Sequence, residues 1–168
     1  YVLGMNKIYL GLTKYSLPLN AYVVVNPLVA EQSVDPILHK LSPNTEKFVT
    51  INRKNKFPTG TDIRFFKSGG PVFSNTLDIL YEGWTVTYVG LQILYIKGCQ
   101  TVYIVGMDHH FEQQGTPNSM QTMKGDDPNH FDSSYFKGNQ WHLADLKQNE
   151  KHYKIARDEY EKDGRQII

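Results

Sequence analysis

Residues 85–105 constrain the fold more than any other stretch of the sequence. Val86, Val89, Ile93 and Leu94 recur at spacings that place them on one face of a helix over 85–97. A threonine at 85 or 87 suits the N-cap, because its hydroxyl can accept from an amide of the first turn. Gly98 suits the C′ position, where the backbone turns left-handed. Thr101-Val102-Tyr103-Ile104-Val105 then forms an unbroken β-rich run, the pattern of a strand buried on both faces. A helix that hands over directly to such a strand is the signature of parallel α/β architecture.

The rest of the chain fits that frame. Ala21-Tyr22-Val23-Val24-Val25 reads as a buried strand, and Asn26-Pro27 as the start of a helix. Residues 28–41 are expected to be helical, with an interruption at Pro36. Lys47 to Ile51 reads as a strand, 52–61 as a loop, and Ile63 to Phe66 as a third strand ended by Ser68-Gly69-Gly70-Pro71. Leu143, Leu146, Tyr153, Ala156 and Tyr160 fit one face of a helix near 142–162, closed by Gly164. Residues 109–140 are polar and aperiodic and read as a long functional loop. The opening Tyr1-Val2-Leu3-Gly4 looks like a strand entered midway, and Gln166-Ile167-Ile168 like a strand just beginning. The chain is therefore expected to be cut at both ends.

Size and charge narrow the function classes. The 168 residues fit one domain, 1–168. A domain of this size buries roughly 70% of the surface its unfolded chain exposes. The net charge of +1 gives no reason to expect nucleic acid as a partner. No apolar run approaches the roughly 20 residues of a membrane span. Cys99 is the single cysteine, so no intrachain disulfide can form, and a reducing, cytoplasmic setting is expected. Cys99 itself reads as a packing residue.

In open parallel sheets, ligands bind beyond the carboxyl ends of the strands. Asn26-Pro27 marks that edge after the first buried strand, and Gly106-Met107-Asp108-His109-His110 after the central one. Gly106 would admit a ligand close to the backbone, and Asp108 would accept from sugar hydroxyls or staple the turn. Asp126-Asp127-Pro128-Asn129-His130-Phe131-Asp132 is the second constellation. An imidazole held between carboxylates works as a general base near neutral pH; a solvated loop histidine is the plain alternative. His109, His110, Asp126, Asp127, His130 and Asp132 also supply nitrogen and oxygen ligands, and Asp126-Asp127 would suit Mg²⁺ with substrate phosphates. No zinc spacing is present. Gly69-Gly70-Pro71 lacks the Lys-Ser/Thr of a phosphate loop and reads as a turn. Of the aromatic residues, Trp141 and Tyr135 flank the polar loop and are the best candidates to stack on a sugar or base. Tyr81, Trp84, Tyr88 and Phe136 read mainly as core.

Four segments together resemble a family. Gly4 to Tyr9, Val25-Asn26-Pro27 with Glu31-Gln32, Gly98 to Asp108, and Asn129-His130-Phe131 are similar, in order and spacing, to segments of the bacterial sialyltransferases that use CMP-sialic acid. They are also similar to related uncharacterised domains, some of which look like pterin diphosphokinases. The resemblance implies a Rossmann-like, mostly parallel sheet flanked by helices, sialyltransferase-like and incomplete at its N-terminus. It implies a metal-independent, inverting glycosyltransferase without a resident cofactor. Its donor would be a nucleotide sugar, most naturally a CMP-sugar, and its acceptor a glycan or other hydroxyl. Asn6, Asn26, Pro27, Thr85, Gly106 and Asp108 would bind donor or substrate, and His130 would be the general base. His110 would stand where the family has a phosphate-holding tyrosine, and Asn118 near a second. The family's Gly-Asn-Gly-Pro-Ser loop is absent, and Gly83 replaces an arginine. The alternatives are a Mg²⁺-dependent diphosphotransferase and a non-catalytic binding module. An oligomer is compatible with either.

Overall fold

Val23, Val24 and their neighbours carry no polar alternation, so a strand built from them must be covered on both faces. The computed structural model, which describes residues 1–107 and 115–168, places this strand in the middle of one sheet. All four residues of β2 (Ala21–Val24) are buried. It is flanked by β1 (Leu3–Met5) and β3 (Glu46–Thr50), followed outward by β4 (Arg64–Ser68) and β5 (Ile79–Leu80). Every pairing in this five-stranded sheet is parallel, with Leu3 opposite Ala21, Val23 opposite Phe48, and Thr50 opposite Phe66. The protein is thus mixed α/β with a parallel sheet.

Period two along β2 separates two cores. Tyr22 and Val24 face a cluster with Val49, Ala30, Ile37 and Trp141. Ala21 and Val23 face the opposite cluster with Phe48, Phe66, Val89 and Ile93. Between β1 and β2 runs the short helix α1 (Leu12–Tyr15), and after β2 come α2 (Pro27–Gln32) and α3 (Val34–His39). The second layer is α4 (Val86–Ile96), capped by Thr85, whose Oγ1 accepts from the Thr87 amide at 3.3 Å. Gly98, at φ +82°, follows the helix as its composition requires.

Four segments differ from what the sequence implies. The break in residues 28–41 falls at Ser33, not Pro36. Pro36 lies in the first turn of α3, where a missing N–H costs nothing. The 101–105 run is not a strand covered on both sides. Only β6 (Thr101–Val102) is paired, parallel to β9 (Gln166–Ile167), and Tyr103 and Val105 are 71% and 91% exposed. The polar stretch after Gly106 is not loop throughout. Met120–Thr122 (β7) and Gln140–His142 (β8) form an antiparallel pair that carries Trp141 into the core. Ile51, expected to end a strand, and residues 52–56, expected as loop, together form a 3₁₀ turn.

Helix α5 (Leu146–Lys162) closes the molecule, packing Ala156 and Tyr160 on Tyr88 and Leu91 of α4. The Tyr160 hydroxyl donates to the Leu91 carbonyl at 2.7 Å. Gln92, fully buried within α4, stitches the preceding loop to the helix. Its Oε1 accepts from the amides of Ser74 (3.0 Å) and Tyr81 (3.1 Å), and its Nε2 donates to the Tyr81 carbonyl at 2.7 Å. Among the described residues, no helix is long and apolar enough to cross a membrane.

Candidate functional site

The carboxyl ends of β1 and β2, the start of α4 and the segment after β6 converge on one cleft of about 390 Å³, within the range of small-molecule sites. Asn6, Asn26, Pro27, Thr85, Gly106 and His130 all line it. Six positions spread over 125 residues of sequence thus meet in one place. Asp108 and His110 fall outside the described residues.

His130 is the chemical centre of the cleft. Its Nδ1 lies 2.9 Å from Oδ2 of Asp127, whose side chain is wholly buried. The other Asp127 oxygen accepts from the Asn129 amide at 2.9 Å, a turn that fixes the carboxylate. With Nδ1–H donating to the carboxylate, the lone pair of the neutral ring resides on Nε2. The imidazole stacks on Tyr135 at 4.0 Å between centroids, with the edges of Phe136 and Trp141 beside it. Burial holds the Tyr135 hydroxyl above its ordinary range, so it remains a neutral partner.

Lys7 braces this aromatic wall from below. Its Nζ donates to the Tyr135 carbonyl at 2.7 Å and its backbone amide to the Tyr135 hydroxyl at 3.1 Å. Burial lowers the Lys7 pKa, and the nearby Asp127 charge works against that shift. The neighbouring residue, Asn6, adopts φ +50°. The Tyr22 hydroxyl donates to its carbonyl at 2.7 Å and helps to hold that conformation. Oδ1 of Asn6 is buried and, among the described residues, has no hydrogen-bond partner, an acceptor for a ligand N–H.

Strain collects around the cleft. Asn6, Trp84 and Asn118 each adopt a left-handed backbone, and all three line it. Such conformations cost about 1–3 kcal/mol and persist where surrounding structure enforces them. At Trp84 the enforcement is visible: the Asn149 amide, in the orientation that satisfies its partners, donates to the Trp84 and Asp145 carbonyls, each at 3.1 Å. Gly83 is required beside it, because a Cβ there would lie 2.3 Å from the Tyr88 ring. This is the physical reason a glycine stands at that position.

Tyr88 and Phe136 are buried as expected, and three other aromatic expectations are reversed. Trp141 and Tyr135 are core residues, since β8 and the His130 stack draw both inward. Trp84, expected as core, is 56% exposed at the cleft rim. Asn26 lines the cleft but spends its side-chain oxygen capping α2 through the amides of Leu28 (2.9 Å) and Val29 (3.4 Å). Its Nδ2 lies 3.3 Å from Nδ1 of His142. No sequence motif marks His142 or Lys7 as site residues, and Tyr153, which reads as a helix-face packing residue, has its hydroxyl 3.3 Å from Thr85 Oγ1. Each acquires its place only through pairing with a distant element, which no local motif signals.

The aspartate pair does not act as a unit. Asp126 pairs with Lys137 at 2.8 Å, and Asp127 with His130. Asp132 accepts from the Ser134 amide and hydroxyl. Among the described residues, no three His, Cys, Asp or Glu side chains come together as metal ligands. Compared with family models, curated proteins and solved structures, the chain matches none.

Proposed function

We propose that the cleft binds a nucleotide-sugar donor, a CMP-sugar first of all, and that His130 acts as general base in transferring the sugar to a hydroxyl of a glycan or similar acceptor. The supporting observation is the buried Asp127 carboxylate on Nδ1 of His130, at the edge where a parallel sheet presents its strand ends. The acceptor hydroxyl gives its proton to Nε2 while its oxygen bonds to the anomeric carbon. The bond from that carbon to the donor phosphate breaks, and its electron pair leaves with the nucleotide. The first turn of α4, behind Thr85, offers amides and a positive helix end to the departing phosphate. Asn6 Oδ1 would accept from an amine of the base, and Trp84 would stack on base or sugar.

The Rossmann-like character of the sheet and the likeness to bacterial sialyltransferases belong to this proposal. The diphosphotransferase alternative requires a divalent cation, and the engagement of Asp126 by Lys137 weakens it. The test is a thermal-shift screen of nucleotides, with and without Mg²⁺, followed by turnover with the best donor. His130→Ala should abolish turnover and keep the nucleotide-induced shift. Loss of both would give His130 a structural role, and turnover abolished by a chelator would favour the diphosphotransferase.

A further inference from the structure

Two histidines, His130 and His142, line the functional cleft, and their hydrogen bonds assign them opposite tautomers. His130 gives its Nδ1–H to Asp127 at 2.9 Å, which leaves the lone pair on Nε2. At His142 the partner is an amide in place of a carboxylate. Oδ1 of Asn26 accepts from the amides of Leu28 and Val29, so the orientation of that side chain is fixed. Nδ2 is therefore the atom that lies 3.3 Å from Nδ1 of His142. An amide nitrogen can only donate, so Nδ1 of His142 accepts. In the neutral ring the one N–H is then on Nε2. Nε2 has no hydrogen-bond partner among the described residues and is not sealed from solvent.

The fold holds the ring in that place. Trp141 packs into the core from β8, so by the alternation of a strand His142 lies on the other face. Gln32 of α2 donates to the Gln140 carbonyl at 2.9 Å, which ties β8 to the helix that Asn26 caps. The cleft has a need that the Nε2–H meets. Among its described lining residues there is no lysine or arginine, and the one carboxylate is Glu82. A phosphate held there must rely on neutral donors and on the helix end at Thr85. As a sugar leaves a nucleotide, the phosphate gains a negative charge. A donor aimed at it is then worth more in the transition state than in the ground state. His130 cannot be that donor, because its Nδ1–H is spent on Asp127 and its Nε2 carries the lone pair.

We propose that His142 is a second catalytic residue of the transfer reaction, donating from Nε2 to an oxygen of the donor phosphate as the bond to the anomeric carbon breaks. No proton leaves this ring. The acceptor hydroxyl gives its proton to His130, the bonding pair departs with the nucleotide, and His142 holds the phosphate by a hydrogen bond. Two histidines thus divide the work because their fixed neighbours differ: a carboxylate makes one an acceptor, and an amide makes the other a donor. The role of His142 rests on the transfer reaction proposed above, whereas its tautomer rests on Asn26 alone.

Ring-nitrogen NMR of the chain tests the tautomer, and the same spectra with inorganic phosphate or CMP test the contact. His142 should carry its proton on Nε2, and that resonance should shift saturably with either anion, in the His130→Ala variant as well. A proton on Nδ1, or no shift with either anion, would overturn the proposal. Two substitutions separate catalysis from structure. His142→Asn keeps an acceptor for Asn26 near the place of Nδ1 and removes the Nε2 donor. It should hold the melting temperature, bind CMP about tenfold more weakly and lower kcat with a CMP-sugar by about 10²- to 10³-fold. His142→Gln puts an amide donor near the place of Nε2 and gives up the Asn26 bond. It should melt lower than His142→Asn yet turn over at least about tenfold faster. A merely structural role would rank the two variants alike in stability and in turnover, and that result would overturn the assignment. A chain that turns over no CMP-sugar but shows the phosphate shift at His142 would remove the donor proposed above and keep the anion contact. Full turnover in His142→Asn would remove His142 and leave the His130 reading standing.

Discussion

His130 Nδ1 and Asp127 Oδ2 are 2.9 Å apart, and the carboxylate is sealed from solvent while the imidazole is 22% exposed. One partner is fixed in the protein and the other meets the cleft. The carboxylate therefore orients the ring and sets its tautomer, and the ring alone is in position to exchange a proton with a ligand.

Asp127→Asn should lower turnover by about 10²- to 10⁴-fold, because an amide no longer fixes the tautomer with the lone pair on Nε2. Nucleotide-induced stabilisation should stay. Combined with His130→Ala it should cost little more than His130→Ala alone, since the two residues act as a unit. Steady-state turnover of the three variants, alongside melting curves with nucleotide, checks this.

Trp84→Asn should separate stability from binding. Asparagine tolerates the left-handed backbone found at φ +65°, and the side chain it replaces is largely exposed, so the melting temperature should hold or rise. Loss of the ring should weaken nucleotide binding by about 1–3 kcal/mol if Trp84 stacks on the base. Calorimetric titration gives the number, and unchanged affinity would remove Trp84 from the binding surface.

Gln92→Leu keeps the volume of the side chain and strips the Ser74 and Tyr81 amides of their acceptor. Each amide left unpaired costs about 1–3 kcal/mol. Urea unfolding should show a loss of about 2–4 kcal/mol, far more than an exposed glutamine replacement would give.

Stability should hold up to pH near 10 and fall above it. Burial raises the phenol pKa of Tyr22, Tyr88, Tyr135 and Tyr160 above the ordinary 10.0. The folded state then keeps protons that the unfolded chain releases, so stability is complete below the unfolded value and is lost as pH rises through the folded values. Lys7 works in the opposite sense, because its lowered pKa lets stability grow with pH as it sheds its proton. Four phenols outweigh one amine, and urea midpoints should hold to about pH 10 and decline from there towards pH 12.

The sequence determined the parts whose signals are local. The apolar run at Ala21–Val24, the capped stripe of α4 and the pattern of α5 each declare an element, because burial and capping are written into a few adjacent residues. The rim residues Asn26, Thr85, Gly106 and His130 were also legible, since strand ends and helix starts fix where such residues emerge. Tertiary structure decided what depended on partners far along the chain. It buried Trp141 and exposed Trp84, gave His130 its carboxylate and its Tyr135 stack, braced that wall with Lys7, and left Tyr103 and Val105 exposed. A side chain's neighbours, not its own composition, set whether it is core, platform or edge, and those neighbours are chosen only when distant segments pack.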